Sequence, residues 1–308
     1  MTSAVLGPVS DGCRGRLVSH YGNAADTWLD SVPDLLSSAA DRWQLRISTY
    51  HDAGHASALA AATTVAGTPV MLKAWFDPAR YRAETSALAA WRDGPVARLF
   101  HLADDLCVAA LSMVADRPGG DVPPPGDEER VAGALQHLHS LGVGEAKADA
   151  PLLGQYLRAE VVPRIRRRDQ RFSRVLPEAC VLAGRHALAK LTPGDRREVL
   201  LHADLYRENI AFDEAGRPVF LDPLPMIGDP AFDWAFWTVY YDLTRDPRCR
   251  LRLAAAYSAI PVSALLPWCL TLCFDGLLYY HEAADPRIGR MAEAMVSLAA
   301  ADAGATSW

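Results

Sequence analysis

His202, Asp204 and Asn209 stand as H-x-D-x-x-x-x-N in LHADLYRENIAFDEAGRPVFLDPLPMIGDPAFD (201–233), and Asp222 follows after a short turn-and-strand stretch. This spacing suits phosphoryl transfer. One carboxylate orients an acceptor hydroxyl and takes its proton, while an amide oxygen and a second carboxylate hold Mg²⁺ against nucleotide phosphates. Asp204 is therefore the candidate base. Asn209 and Asp222 are the candidate Mg²⁺ ligands, because that ion takes hard oxygen donors in a partly hydrated octahedral shell. The whole chain has two asparagines, Asn23 and Asn209, so one falling on the metal position carries weight. His202 is expected to brace the loop by hydrogen bonding. Asp229 and Asp233, in GDPAFD, are expected to fix the loop and cap the next helix, Asp229-Pro230 being a cap residue before a proline at a first helical position.

A phosphate-binding cation is needed upstream. Lys73 lies in TPVMLKAWF, an apolar strand pattern, in a chain with three lysines against 28 arginines. An ammonium on a strand can reach the α- and β-phosphates if a carboxylate holds it. Glu84, in the helix-like DPARYRAETSALAAW, is the candidate partner. Before the lysine strand, DAGHASALAA (52–61) has one glycine and no G-x-G-x-x-G. Gly54, His55, Ala56 and Ser57 could offer backbone N–H groups to phosphate oxygens, or form a plain hairpin turn.

The segments 202–209 and 222–233, the latter reading D-P-x-P-x-x-G-D-P-x-F-D, resemble the aminoglycoside and hydroxyurea antibiotic-resistance kinases, streptomycin kinases above all, within the aminoglycoside phosphotransferase and choline kinase group. TWLDSVPDLLSSAADRWQL (27–45) resembles the N-terminal helix of streptomycin kinases. The resemblance implies an α+β, bilobal protein-kinase-like fold, with a small sheet-containing N-lobe and a large, mainly helical C-lobe. It implies an ATP-dependent O-phosphotransferase using Mg²⁺, acting on a streptomycin-type aminoglycoside, on hydroxyurea or on an amino sugar. Glu84-Thr85 with Ala87-Leu88 match the family's helix after the lysine strand. The adenine is then expected on the backbone of the connector at Leu111, Ser112, Met113 and Val114. Streptomycin-type kinases show an acidic residue and an arginine there, so GTP stays open beside ATP. Many relatives carry histidine where this chain has Tyr206, which leaves neutralisation of the transferring group to Arg207 or the metal unless Arg207 points to solvent. A nucleotide-binding pseudokinase is the alternative from another class, opposed by the intact set Lys73, Glu84, Asp204, Asn209 and Asp222. A metallohydrolase built on His202 and Asp204 lacks a further histidine at useful spacing.

The acceptor side is expected from the C-terminal helices. In FDGLLYYHEA, Asp275, Tyr279 and Glu282 follow i, i+4, i+7 and share a helix face. Two carboxylates and a phenol there could hold guanidinium or amine groups, although streptomycin kinases have asparagine in place of Asp275; a solvated stripe is the plain alternative. The net charge of −6 suits a cationic small acceptor and argues against nucleic acid. Arg164, Arg166, Arg167, Arg168, Arg171 and Arg174 form a basic helix-like run, expected to be a solvated face.

The elements that must position these groups divide at RPGGDVPPPGDEE (117–129), where glycines and three consecutive prolines end helix and strand alike. Residues 1–116 read as a helix, short strands (45–49, 58–65, 69–76, 97–103, 106–114) and an inserted helix at 78–92. Residues 117–308 read as helices at 127–142, 151–168, 177–191, 230–243, 248–258 and 262–283. Half the residues are hydrophobic with mean hydropathy near zero, and no apolar run is expected to span a membrane. The start lacks a secretory pattern, and six cysteines without paired spacing suit reduced thiols in a cytoplasm. The alanine-rich end carries no motif, and the oligomeric state is not encoded legibly.

Overall fold

The structure is a computed structural model that describes residues 6–51, 56–114, 120, 122–191 and 197–304, with side chains to residue 301. Its contacts form two compact units, Met1–Pro123 with Ile210–Leu221, and Pro124–Asn209 with Asp222–Trp308. The first contains the main sheet and the second is mainly helical, as the α+β reading requires. The expected boundary at 116/117 lies outside the described residues.

In the first unit, β1 (Arg46–Tyr50), β2 (Ser57–Thr63), β3 (Pro69–Trp75), β4 (Leu99–Ala103) and β5 (Val108–Ser112) form an antiparallel sheet of order β1-β2-β3-β5-β4. Strand alternation sorts β3. Val70, Leu72 and Ala74 enter the apolar cluster that holds Leu17 of α1 (Asp11–Tyr21) and Leu29, Val32 and Leu36 of α2 (Ala24–Arg42). Trp75 enters a second cluster with Tyr81 and Leu88 of α3 (Pro78–Ala90), with Met71 packed against it. Lys73 shares that second face by its period of two. α3 starts where it should: Asp77 accepts the Ala79 N–H at 2.8 Å and Pro78 takes the first turn. The N-terminal helix ends at Arg42 rather than 45, because Gln44 adopts a left-handed φ of 54°. A hairpin, β7 (Ile210–Phe212) and β8 (Pro218–Phe220), also belongs to this unit, Phe220 exchanging hydrogen bonds with Pro95 and Ala97.

The second unit comprises α4 (Asp127–Ser140), α5 (Leu153–Tyr156), a π-helical turn (Leu157–Val161), α6 (Val162–Phe172), α7 (Glu178–Lys190), α8 (Ala231–Tyr240), α9 (Pro247–Ser258), α10 (Val262–Glu282) and α11 (Ile288–Gly304). β6 (Val199–Leu201) and β9 (Met226–Gly228) pair antiparallel. α10 packs against α6, α7, α8 and α11. Gly184 of α7 admits the Phe274 ring, whose Cγ lies 2.3 Å from where a Cβ would stand. Contrary to the sequence reading, α10 is long and apolar enough to cross a membrane, yet 72% of its most apolar window is buried within the fold. It is a core helix. α1 and α11 were not anticipated.

Candidate active site

The loop after β6 is held from beneath. Asp233, fully buried in α8, accepts the backbone N–H groups of His202 and Ala203, each at 2.8 Å, one on each carboxylate oxygen. His139 of α4 donates Nε2–H to the same carboxylate at 2.9 Å. Ala203 adopts a left-handed φ of 57°, a conformation that costs a residue with a Cβ and persists only when its surroundings enforce it. The His202 ring is fully buried and its Nδ1 accepts the Asp204 N–H at 3.4 Å. Asp229 caps α8 through the Ala231 N–H at 2.9 Å. The bracing expected of His202, Asp229 and Asp233 thus has named partners; His139 was missed, its sequence carrying no signal beyond two histidines in LQHLHS.

Above this support, Asn209 donates Nδ2–H to the Asp204 carbonyl and to Asp204 Oδ2, both at 2.8 Å. The amide oxygen is thereby directed away from the carboxylate. Asp222 returns beside the loop because β9 pairs with β6 and the Leu224 N–H donates to the His202 carbonyl at 2.9 Å. Asp222 itself has a φ of 54°. An amide oxygen and a carboxylate are the donor set Mg²⁺ accepts. Among the described residues no cluster of three or more His, Cys, Asp or Glu side chains could hold a metal unaided, so phosphate oxygens or water must complete any shell.

In the first unit, Lys73 Nζ donates to Glu84 Oε1 at 2.5 Å, both side chains buried. The pair expected from strand and helix is formed. Trp75 Nε1–H donates to the other oxygen, Oε2, at 2.8 Å, a contact that sequence reading missed. At the connector, the Ser112 N–H donates to the Arg98 carbonyl at 2.7 Å and its hydroxyl accepts the Arg98 N–H at 2.8 Å, while Leu111 pairs with Met71 and Leu99. Leu111 and Ser112 are therefore sheet residues, and Met113 and Val114 are the first beyond it. Gly54 and His55 lie outside the described residues. The Ala56 carbonyl accepts from Tyr21, and Ser57 opens β2 with a buried hydroxyl that has no hydrogen-bond partner among the described residues.

The two carboxylates of the α10 stripe are paired with arginines of α6, Asp275 buried and Glu282 at the exposed end. Arg164 of α6 grips Asp275 through Nε and Nη2, Arg168 Nε donates to Glu282 Oε2 at 2.7 Å, and Arg168 and Arg171 add ion pairs to Asp275 and Glu282. Asp275 is buried, while Tyr279 is 47% exposed under the Arg168 guanidinium. Part of the expected solvated basic run is thus a ladder between α6 and α10. The π turn builds it. In a regular helix residues eight apart diverge by about 80°, but the extra residue swings Arg164 back over Tyr156, whose hydroxyl accepts from Nη1 at 3.3 Å. Burial pulls the Arg164 guanidinium down, and the Asp275 contacts outweigh it to leave it above its ordinary value.

Tyr206 packs into α8, 4.9 Å from the Phe236 ring and 5.0 Å from Tyr240. Burial, with Asp204 and Asp275 nearby, pushes its phenol well above the ordinary value, so it stays neutral. Arg207 places its guanidinium 5.9 Å from the Tyr241 ring, and Tyr241 donates to Asp127 at 2.7 Å. That half-buried placement sets Arg207 beside Tyr241, just past the C-terminal end of α8, rather than extended into solvent.

Residues 73–269 match the phosphotransferase enzyme family. Streptomycin 6-kinase of Streptomyces griseus is 28% identical over 237 residues, 73% of this chain and 72% of that protein. The Streptomyces glaucescens streptomycin 6-kinase is 26% identical over 295 residues, 89% and 92% of the two chains. Among solved structures, a macrolide 2'-phosphotransferase from Brachybacterium faecium superposes with a TM-score of 0.60 at 19% identity, covering 87% of this chain and 98% of its own. With the family's match extending from the strand lysine through the braced loop and into α10, the chain belongs to the phosphotransferase enzyme family.

Proposed function

We propose that this phosphotransferase moves the γ-phosphoryl group of ATP to a hydroxyl of a small polar molecule, with a streptomycin-type aminoglycoside as the leading acceptor. The acceptor oxygen bonds to the γ-phosphorus as the bond to the β–γ bridging oxygen breaks, ADP departs, and the hydroxyl proton passes to the Asp204 carboxylate. The observation that carries this reading is the pair of hydrogen bonds from Asn209 Nδ2 to Asp204, which fix the carboxylate as an acceptor within a loop bolted to Asp233. Asn209 and Asp222 would hold Mg²⁺, which neutralises phosphate charge when bound. Lys73, steered by Glu84, suits the α- and β-phosphates, and the backbone at Met113 and Val114 suits the base of ATP, or of GTP.

The two streptomycin 6-kinases favour a streptomycin-type acceptor; hydroxyurea and amino sugars are the other acceptors. A cationic acceptor draws on the acidic chain as a whole, since Asp275 and Glu282 are committed to arginines. Six free cysteines fit a cytoplasmic setting. The test is a coupled ADP-release screen of the purified protein over streptomycin, other aminoglycosides, hydroxyurea and amino sugars, with ATP and then GTP. Acceptor-dependent ADP release that Asp204→Ala abolishes supports the proposal. Nucleotide binding without transfer to any acceptor would instead favour the pseudokinase reading.

A further inference from the structure

The Lys73–Glu84 pair has a third member. Trp75 follows Lys73 by two residues on β3, so strand alternation puts both side chains on the face that α3 covers. Lys73 reaches one oxygen of Glu84 at 2.5 Å and the Trp75 indole N–H reaches the other at 2.8 Å. The three residues are 3%, 1% and 1% exposed in the order Lys73, Trp75, Glu84. The Lys73 ammonium also lies 4.9 Å from the Trp75 ring centroid. The indole is fixed in turn. Tyr81, one helical turn before Glu84, meets its ring edge-on at 5.3 Å and donates its hydroxyl to Asp104 at 2.6 Å, in the turn between β4 and β5. The Trp75 backbone N–H donates to the Cys107 carbonyl at 3.0 Å in the same turn.

We infer that Trp75 is a positioning residue for nucleotide phosphate binding, holding the Glu84 carboxylate in the one orientation that steers the Lys73 ammonium. The inference rests on the proposed function and deepens it. A carboxylate held only by a flexible lysine can rotate about its last torsion and carry the ammonium with it. A second donor from a rigid, buried ring sets the carboxylate plane, and the lysine then has a fixed counter-charge to pivot on. A neutral indole suits this position because it supplies the donor without adding a cation that would compete with Lys73 for the carboxylate.

The experiment is calorimetric binding of ADP with Mg²⁺ to the full chain, comparing wild type, Trp75→Phe, Glu84→Gln and the double variant, with thermal melts of each. Trp75→Phe keeps an aromatic ring and removes the donor; it is expected to weaken ADP binding about tenfold, and to have less than about a twofold further effect in the Glu84→Gln background. Unchanged affinity in Trp75→Phe, or the same loss in both backgrounds, overturns the inference. Should Trp75→Phe fail to fold, the indole N–H resonance of Trp75 supplies the second measurement: it is expected to move upfield on Glu84→Gln, and a resonance that stays put overturns the inference. A wild-type protein that binds no ADP removes the nucleotide function itself, an outcome distinct from a wild type that binds and a variant that binds equally well.

Discussion

Asn209 turns its amide nitrogen toward Asp204, donating to the backbone carbonyl and to Oδ2 at 2.8 Å each. Only an amide can do both jobs proposed for this position, since it donates to the candidate base and keeps an oxygen for a metal. Asn209→Asp preserves a metal ligand but sets two carboxylates together, which raises one of their pKa values. Asn209→Asp is therefore expected to lose activity by roughly two orders of magnitude, and Asn209→Ala is expected to lose it equally. ADP-release rates check this, and an Asn209→Asp enzyme with wild-type turnover would show that the donor is dispensable.

Asp233 carries three donors in a site without solvent. Asp233→Ala strands two backbone N–H groups and the His139 ring, and each unmet donor costs about 1–3 kcal/mol. A loss of at least about 3 kcal/mol is expected in denaturant unfolding. Ala203→Gly is expected to be neutral or mildly stabilising, because glycine adopts the φ of 57° freely, whereas Ala203→Val destabilises. Equal stability of the glycine and valine variants would mean that the loop does not hold that conformation in solution.

Much of this site was legible because its chemistry constrains residue type at short range. The candidate base, the amide and the bracing aspartates lie within 32 residues, and Lys73 stands out as a lone cation in an apolar strand pattern. What was hidden lies far apart in sequence. His139 is 94 positions from Asp233, and Arg164 is 111 from Asp275. The i, i+4, i+7 pattern on α10 correctly grouped Asp275, Tyr279 and Glu282, but periodicity names a face without naming what covers it. The π turn that aims Arg164 leaves no mark in its residues, LRAEV. α11 was missed because its alanine-rich sequence carries helix propensity without a sharp polar face.

The ladder yields a prediction about stability rather than acceptor binding. Changing Asp275→Asn with Glu282→Gln leaves Arg164 and Arg168 without their anions, and breaking a buried pair from one side costs about 3–5 kcal/mol. The more exposed Glu282 pair adds little. The double variant is expected to melt lower than wild type, with the apparent ADP affinity unchanged in the folded protein. A melt equal to wild type together with a raised acceptor KM would restore the open acidic face.

Asp246 supplies a pH test. It caps α9, accepting the Arg248 N–H at 3.0 Å, and also binds Arg248 Nε and the Ser297 hydroxyl, each at 2.8 Å. The Arg248 side chain leads in holding its carboxyl down to about 2 from 3.8. A value depressed in the folded state contributes stability that is present above pH 3.8 and is lost as pH falls through about 2. Asp246→Ala is expected to cost about 1 kcal/mol near neutrality, with the gap to wild type narrowing below pH 4. Denaturant midpoints at several pH values check this, and a gap independent of pH would assign the effect to packing.

Gly276 connects α10, through Tyr240, to the loop of the candidate base. A Cβ there would stand 2.7 Å from the Tyr240 hydroxyl and 2.9 Å from Met291 Cε. That hydroxyl donates to the Leu272 carbonyl at 2.9 Å, and the Tyr240 ring packs on Tyr206, two residues after the candidate base. Gly276→Ala must therefore move Tyr240, break its hydrogen bond and loosen the aromatic seat of Tyr206. Overpacking of this kind costs about 1–3 kcal/mol. The helix gains on replacing glycine, at most about 1 kcal/mol, so a net loss of stability is expected. Because the displaced contact lies by Tyr206, two residues from Asp204, rather than at Lys73 and Glu84, the proposed nucleotide residues, kcat should fall while the KM for ATP stays near wild type. A Gly276→Ala enzyme with unchanged melting temperature and kcat would show that Tyr240 can move aside without disturbing Tyr206.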